Sequence, residues 1–210
     1  MSQLRIAAID DQIASVQVLS GAIQDYLEAE AVPFDRVPAT PASVGLWVKD
    51  AHIDGVLIDQ DLRKGNFSPS SGMEIAAALF KQHCPTVLTT MHQIAELKDG
   101  IWYRRYIPAF LSKARLENIE AEMRKATAEV NGKIAEERRA YRTVVRVDDV
   151  DQQTALLVVP AFSPSEWISV STKSLEGRLG KRSEAGMRFM AEVNIGASSR
   201  DELFISEVEL

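Results

Sequence analysis

The first 114 residues alternate short apolar runs with segments whose apolar positions recur at helical spacing. Leu4 to Ile9 reads as a buried-type strand that stops at Asp10-Asp11. Val16, Leu19, Ile23 and Leu27 then fall three or four apart, which predicts a helix. A second strand is expected over Phe34 to Val37. Thr40-Pro41 has the pattern of an N-cap followed by proline in the first helical position, so a helix should run to about Asp50. Val56-Leu57-Ile58 forms a third strand ending at Asp59, and a polar loop from Arg63 to Ser71 comes soon after it. A helix over Met73 to Gln82, a strand over Thr86 to Thr90, a helix over Ile94 to Trp102 and a strand over Ala109 to Ser112 complete the series. This rhythm implies an α/β fold, a doubly wound five-stranded parallel sheet covered on both faces.

The pattern then changes twice. From Leu116 to Tyr141 the chain is highly charged, and Leu116, Ile119, Met123, Ala126 and Val130 recur at helical spacing. Two readings stay open: a last helix packed on the sheet and extended as a linker, or a dimerising helix, whose apolar seam is short by coiled-coil standards. After Arg142, five β-rich runs follow: Thr143 to Val147, Ala155 to Val159, Trp167 to Val170, Met187 to Ile195 and Leu203 to Val208. Turn-type clusters such as Ser163-Pro164-Ser165 separate them. The expected organisation is a first domain over residues 1–125, a helical linker over 115–141 and a small all-β domain, barrel or sandwich, over 142–210. Trp167 and Phe189 are read as packing the core of that small domain, with a ligand-contact role as the alternative.

Composition narrows the classes. Hydrophobic residues make up 46% of the 210-residue chain, which carries 24 Lys+Arg against 30 Asp+Glu. That is a globular composition, not a disordered one. Basic and acidic groups number 10 and 13 in residues 1–114, 6 and 6 in 115–141, and 8 and 11 in 142–210. With no basic segment and no helix-turn-helix pattern in the tail, DNA binding is not expected. The single cysteine, Cys84, permits no intrachain disulfide and fits a reducing compartment. The N-terminus does not read as a signal peptide, and no apolar run approaches the roughly 20 residues of a membrane span. A cytoplasmic protein without a membrane partner is expected.

The candidate chemistry lies at the strand ends. Four apolar runs end in Asp10-Asp11, Asp59-Gln60-Asp61, Thr89-Thr90 and Ser112-Lys113. Parallel strands of a doubly wound sheet present their carboxyl ends at one edge, where ligands bind. Carboxylates gathered there repel one another unless a cation shares them, and a hard, oxygen-rich site suits Mg²⁺. A hydroxyl and a lysine beside such a cation suit a phosphoryl group.

The stretches Ile6-Ala7-Ala8-Ile9-Asp10-Asp11-Gln12, Asp54-Gly55-Val56-Leu57-Ile58-Asp59, Pro85-Thr86-Val87-Leu88-Thr89-Thr90-Met91-His92 and Phe110-Leu111-Ser112-Lys113 carry a resemblance. In order and spacing, residues 1–125 resemble the receiver domain of bacterial two-component response regulators. The resemblance implies a Mg²⁺-dependent phosphoacceptor, Asp59. It implies metal ligation by Asp10, Asp11, Asp59 and the backbone carbonyl of Asp61. Thr90 would be the switch hydroxyl, with Thr89 as the alternative if the register is one residue off. Lys113 would pair with the phosphoryl oxygens, and Phe110 stands where the family has a switching aromatic or a plain core residue. His92 and Asp61 would be exposed rim residues or groups that tune hydrolysis of the acyl phosphate. A sensor histidine kinase or phosphotransfer protein would supply the phosphoryl group. The β-rich tail, which resembles no family, would act as an output that binds an unknown protein target, and the last helix is a candidate homodimer contact.

Three departures qualify the resemblance. Ala114 follows Lys113 where the family usually has proline. The loop from Arg63 to Ser71 is longer than the family norm and lacks its usual early proline. Asp61 and His92 add ionisable groups near the site. A non-phosphorylated pseudo-receiver adaptor is therefore one alternative. A phosphatase of the haloacid-dehalogenase type is another, suggested by Asp59-Gln60-Asp61. It is disfavoured because the acidic pair Asp10-Asp11 precedes that motif and no acidic pair follows Lys113. On the leading reading the protein is not an enzyme in its own right, beyond self-dephosphorylation.

Overall fold

A computed structural model describes residues 3–62, 66–91 and 100–210. The chain forms two compact units, one from Met1–Gln93 with Tyr106–Lys133 and one from Ile94–Arg105 with Ile134–Leu210.

The first unit is built on five parallel strands. These are β1 (Arg5–Ile9), β2 (Glu30–Pro33), β3 (Gly55–Asp59), β4 (Thr86–Thr90) and β5 (Ala109–Ser112), in the order β2-β1-β3-β4-β5. Ala7 pairs with Val56, Asp59 with Thr89 and Thr90 with Ser112. The central strands β1, β3 and β4 are buried almost throughout, on both faces. Helices α1 (Ile13–Leu27) and α4 (Ile119–Val130) pack together, as do α2 (Pro41–Asp50) and α3 (Gly72–Lys81). One core joins Ile6, Ala8, Leu57 and Val87 of the strands to Leu19 and Ile23 of α1 and Met123 of α4. The doubly wound parallel sheet expected from the sequence is present.

Two helices begin with reciprocal caps. The Thr40 hydroxyl accepts from the Ser43 N–H while the Ser43 hydroxyl accepts from the Thr40 N–H. Ser71 and Glu74 make the same exchange at α3.

Several boundaries differ from the sequence reading. The second strand lies at Glu30–Pro33, not at Phe34 to Val37. Residues 30–33 hold the parallel register with Arg5 to Ala8. Phe34 is apolar for another reason: it is buried edge-on against Trp47, with ring centroids 5.0 Å apart. Val37 is exposed. Helix α4 stops at Val130 instead of continuing to Tyr141. Gly132 adopts φ +80°, a left-handed conformation that ends the helix cheaply only at glycine.

The second unit holds an antiparallel sheet of β6 (Tyr141–Val150), β7 (Thr154–Val159), β8 (Ser163–Ser171), β9 (Arg188–Val193) and β10 (Ile205–Glu209). Their spatial order is β10-β9-β6-β7-β8. Ser163 to Ser165 belong to β8 and not to a turn. A helix absent from the sequence reading, α5 (Thr172–Leu179), joins β8 to β9, capped by the Ser171 hydroxyl and ended by Gly180 at φ +68°. Phe189 is buried in the core as expected, but Trp167 is 55% exposed.

The core of this unit includes Val145, Leu157, Ile168 and Phe189 from the sheet, together with Ile101 and Trp102. The helix expected over Ile94 to Trp102 falls partly outside the described residues, and Gly100–Trp102 forms a 3₁₀ turn. Arg178 of α5 lies 4.7 Å from the centre of the Trp102 ring. Arg104 donates from Nη1 to the Leu203 carbonyl at 3.1 Å, and Arg138 donates from Nη2 to the Arg104 carbonyl at 2.9 Å. The connection between β4 and β5 thus leaves the parallel-sheet unit and supplies core to the antiparallel one.

Candidate functional site

Because the five strands are parallel, Asp10, Asp59, Thr90 and Lys113 all fall at the carboxyl edge of their sheet. Asp10 and Asp59 are buried, and the Lys113 ammonium bridges them. Its Nζ lies 2.7 Å from Asp10 Oδ2 and 2.6 Å from Asp59 Oδ1. The other oxygens accept from the backbone: Gln12 N–H donates to Asp10 Oδ1 and Asp61 N–H to Asp59 Oδ2, each at 2.9 Å. Both carboxylates are therefore aimed by turns that follow directly after their strands.

One ammonium shared by two buried carboxylates leaves the group net anionic. Burial raises the pKa of Asp59, Lys113 pulls it down, and the neighbouring Asp10 charge adds to the rise. The net direction is upward. Burial acts the other way on Lys113, but its hydrogen bonds to Asp10 and Asp59 prevail and its pKa is raised as well.

Thr90 is buried, and its hydroxyl donates to Gln60 Oε1 at 2.8 Å. Thr89, directly opposite Asp59 in the strand register, is buried too. Among the described residues its hydroxyl has no hydrogen-bond partner. Phe110 is partly buried on β5, in register with Leu88. Asp11 is partly buried and Asp61 exposed. His92 lies outside the described residues, as do residues 63–65 of the loop after Asp59. The remainder of that loop is held in place. Ser68 donates to the Ala39 carbonyl at 2.5 Å, and Phe67 packs edge-on against Phe34.

Two residues here had no role in the sequence reading. Gln60 holds the Thr90 hydroxyl, as above. Gly72 opens α3 directly against the acceptor strand, its N–H donating to the Gln60 carbonyl at 2.9 Å. A Cβ on Gly72 would lie 1.8 Å from the Asp59 carbonyl oxygen, so only hydrogen fits there. The Ser71-Gly72 pair ahead of an apolar helical run was the visible signal.

The carboxylates of Asp10, Asp11 and Asp59 are the hard oxygen donors that Mg²⁺ takes, and each ionised carboxylate oxygen can accept more than one contact. Among the described residues, however, no group of three or more His, Cys, Asp or Glu side chains is close enough to hold a metal ion. Donor chemistry fits the cation, with Lys113 carrying part of the compensation.

No family model matches the chain, and no curated protein matches it. Solved structures do. A response regulator receiver domain protein from Clostridium thermocellum is 16% identical, covering 62% of this chain and 99% of its own, with a TM-score of 0.47. A two-component response regulator of the LuxR family from Aurantimonas sp. SI85-9A1 is 18% identical over 65% of this chain and 99% of its own, at a TM-score of 0.47. A DNA-binding response regulator of the LuxR family from Staphylococcus aureus is 14% identical over 59% of this chain and 98% of its own, at 0.45. These receiver-domain matches leave the C-terminal part of the chain unmatched. Among the described residues no helix is long and apolar enough to cross a membrane.

Proposed function

We propose that the chain is a phosphorylation-switched signalling protein whose Asp59 accepts a phosphoryl group in a Mg²⁺-dependent reaction. The observation that carries this reading is the Lys113 ammonium shared between buried Asp10 and Asp59. An Asp59 carboxylate oxygen attacks the phosphorus of a donor such as a phosphohistidine on a sensor kinase or phosphotransfer protein. The bond from phosphorus to the donor breaks, the donor keeps that electron pair and takes up a proton, and an acyl phosphate remains on Asp59. Lys113 holds the acceptor in place and neutralises developing charge on the phosphoryl oxygens. Mg²⁺, held by Asp10, Asp11 and Asp59 with the Asp61 carbonyl, would supply further charge neutralisation. Thr90 exchanges its Gln60 partner for a phosphoryl oxygen, which moves the end of β4.

The link to the second unit is chain connectivity. Thr90 ends β4 and Lys113 follows β5, and the connection between those strands contributes Ile101 and Trp102 to the other unit's core. Thr90 and Lys113 thus flank the chain segment that supplies those two core residues. Slow water attack on the acyl phosphate returns the protein to its starting state.

The test is intact mass after incubation with Mg²⁺ and acetyl phosphate. One added phosphoryl mass, lost with a chelator, is expected. A second reading, the constitutive adaptor, is favoured by the lack of a gathered carboxylate cluster among the described residues. It predicts no mass gain and no stabilisation by Mg²⁺ with beryllofluoride.

A further inference from the structure

The antiparallel unit carries a binding face that the site at Asp59 does not use. Its first three strands form a meander, α5 follows, β9 returns beside β6, and β10 pairs with β9. The order 4-1-2-3 of a Greek key with a fifth strand at the end is the five-stranded, partly open arrangement known as the OB-fold. In that arrangement ligands lie on the outer face of the second and third strands and on the loops after the first and fourth. Here those are β7, β8 and the connections β6–β7 and β9–β10.

The outer face carries an aromatic side chain on β8 and arginines on the neighbouring strands β6 and β9. Val145, Val147, Ile168 and Phe189 point to the core, so Arg146 of β6, Trp167 of β8 and Arg188 of β9 point outward. Trp167 is exposed yet fixed: its Nε1–H donates to Asp148 Oδ2 at 2.9 Å, and Arg146 donates from Nη2 to Asp148 Oδ1 at 2.8 Å. Arg200, from the β9–β10 connection, donates from Nη1 to the Trp167 carbonyl at 3.2 Å. Arg146 and Arg188 are direct cross-strand partners. Asp148 already supplies a counter-charge to Arg146, and Arg188 is exposed beside it.

We propose that this face binds single-stranded nucleic acid, with a base stacked on Trp167 and backbone phosphate held by Arg146 and Arg188. Stacking tolerates any base, and arginine supplies the phosphate contact. The acidic balance of residues 142–210 argues against a duplex, whose binding depends on broad charge neutralisation. A fixed aromatic platform with two arginines does not need that breadth. Asp148 is a positioning residue that holds the indole and Arg146. The proposal does not rest on phosphorylation of Asp59.

The experiment is fluorescence anisotropy of a labelled twelve-residue oligothymidylate titrated with the full chain, before and after treatment with Mg²⁺ and acetyl phosphate. Saturable binding is expected in at least one state, with quenching of indole emission. Trp47 and Trp102 are buried, so that quenching reports Trp167. Trp167→Ala should weaken binding at least tenfold while Trp167→Phe retains most of it. Arg188→Gln should weaken binding and lower the slope of log affinity against log salt by roughly 0.7, the share of one single-strand phosphate. Asp59→Asn should leave binding intact in the untreated protein if that state binds. Unfolding midpoints of the surface variants should match the parent. No binding in either state, binding that Trp167→Ala and Arg188→Gln leave unchanged, or preference for a polyglutamate peptide or a duplex would overturn the proposal.

Discussion

At Asp59 the balance between burial and pairing sets the chemistry. Its pKa is raised, so the folded state holds that proton more tightly than the unfolded chain does. Stability from this group is fully present below the ordinary carboxylate pKa of about 3.9 and is lost as pH rises through the raised value. At neutral pH the ionised Asp59 is therefore a net cost. Asp59→Asn should raise the urea midpoint at pH 7, and the midpoints of variant and parent should converge as pH falls toward about 4. Gly72 has the opposite sensitivity. Gly72→Ala drives a methyl into the Asp59 carbonyl, and overpacking of this kind costs about 1–3 kcal/mol. Denaturant unfolding should register that loss, and phosphorylation by acetyl phosphate should slow as the acceptor shifts. The acidic strand ends and Lys113 were legible in the sequence because each follows its own apolar run. Gln60 was not, because its role comes from a hydrogen bond across strands, and Ser71-Gly72 marks a helix start without revealing how closely that helix presses on the strand end.

Local signals determined how well each element could be read. The ranges of β4 and β5 match the sequence reading, and α2 begins at the Thr40-Pro41 signal. At α3 the Ser71 hydroxyl accepts the Glu74 N–H. Ser71→Ala should cost about 1 kcal/mol, the usual worth of such a cap, seen as a lower thermal midpoint. The misplaced β2 shows the limit of apolar runs: Phe34 is buried against aromatic side chains, while pairing is made by Glu30 to Pro33. The overlong last helix has a related cause, since its charged continuation keeps a helical composition past Gly132, where the backbone turns left-handed. Helix α5 was hidden by the β-rich runs on either side, although Ser171 and Gly180 mark both its ends.

At the scale of the molecule, pattern alone could not reveal which unit each segment joins. Ile101 and Trp102 lie between two strands of the parallel sheet yet belong to the core of the antiparallel unit. Trp102 is 2% exposed. Trp102→Ala should cost that unit about 3–5 kcal/mol, the usual loss for a large core side chain, and hydrogen exchange should locate the loss in β6 to β10. A fragment starting at residue 134 should lack the same protection, because it omits those two core residues. The central claim remains the acyl phosphate, which borohydride reduces to an alcohol, turning a phosphorylated aspartate into homoserine. After treatment with Mg²⁺ and acetyl phosphate, then borohydride, peptide mass spectrometry should find homoserine at position 59. No conversion, or conversion at Asp10, Asp11 or Asp61 with position 59 unchanged, would contradict the account.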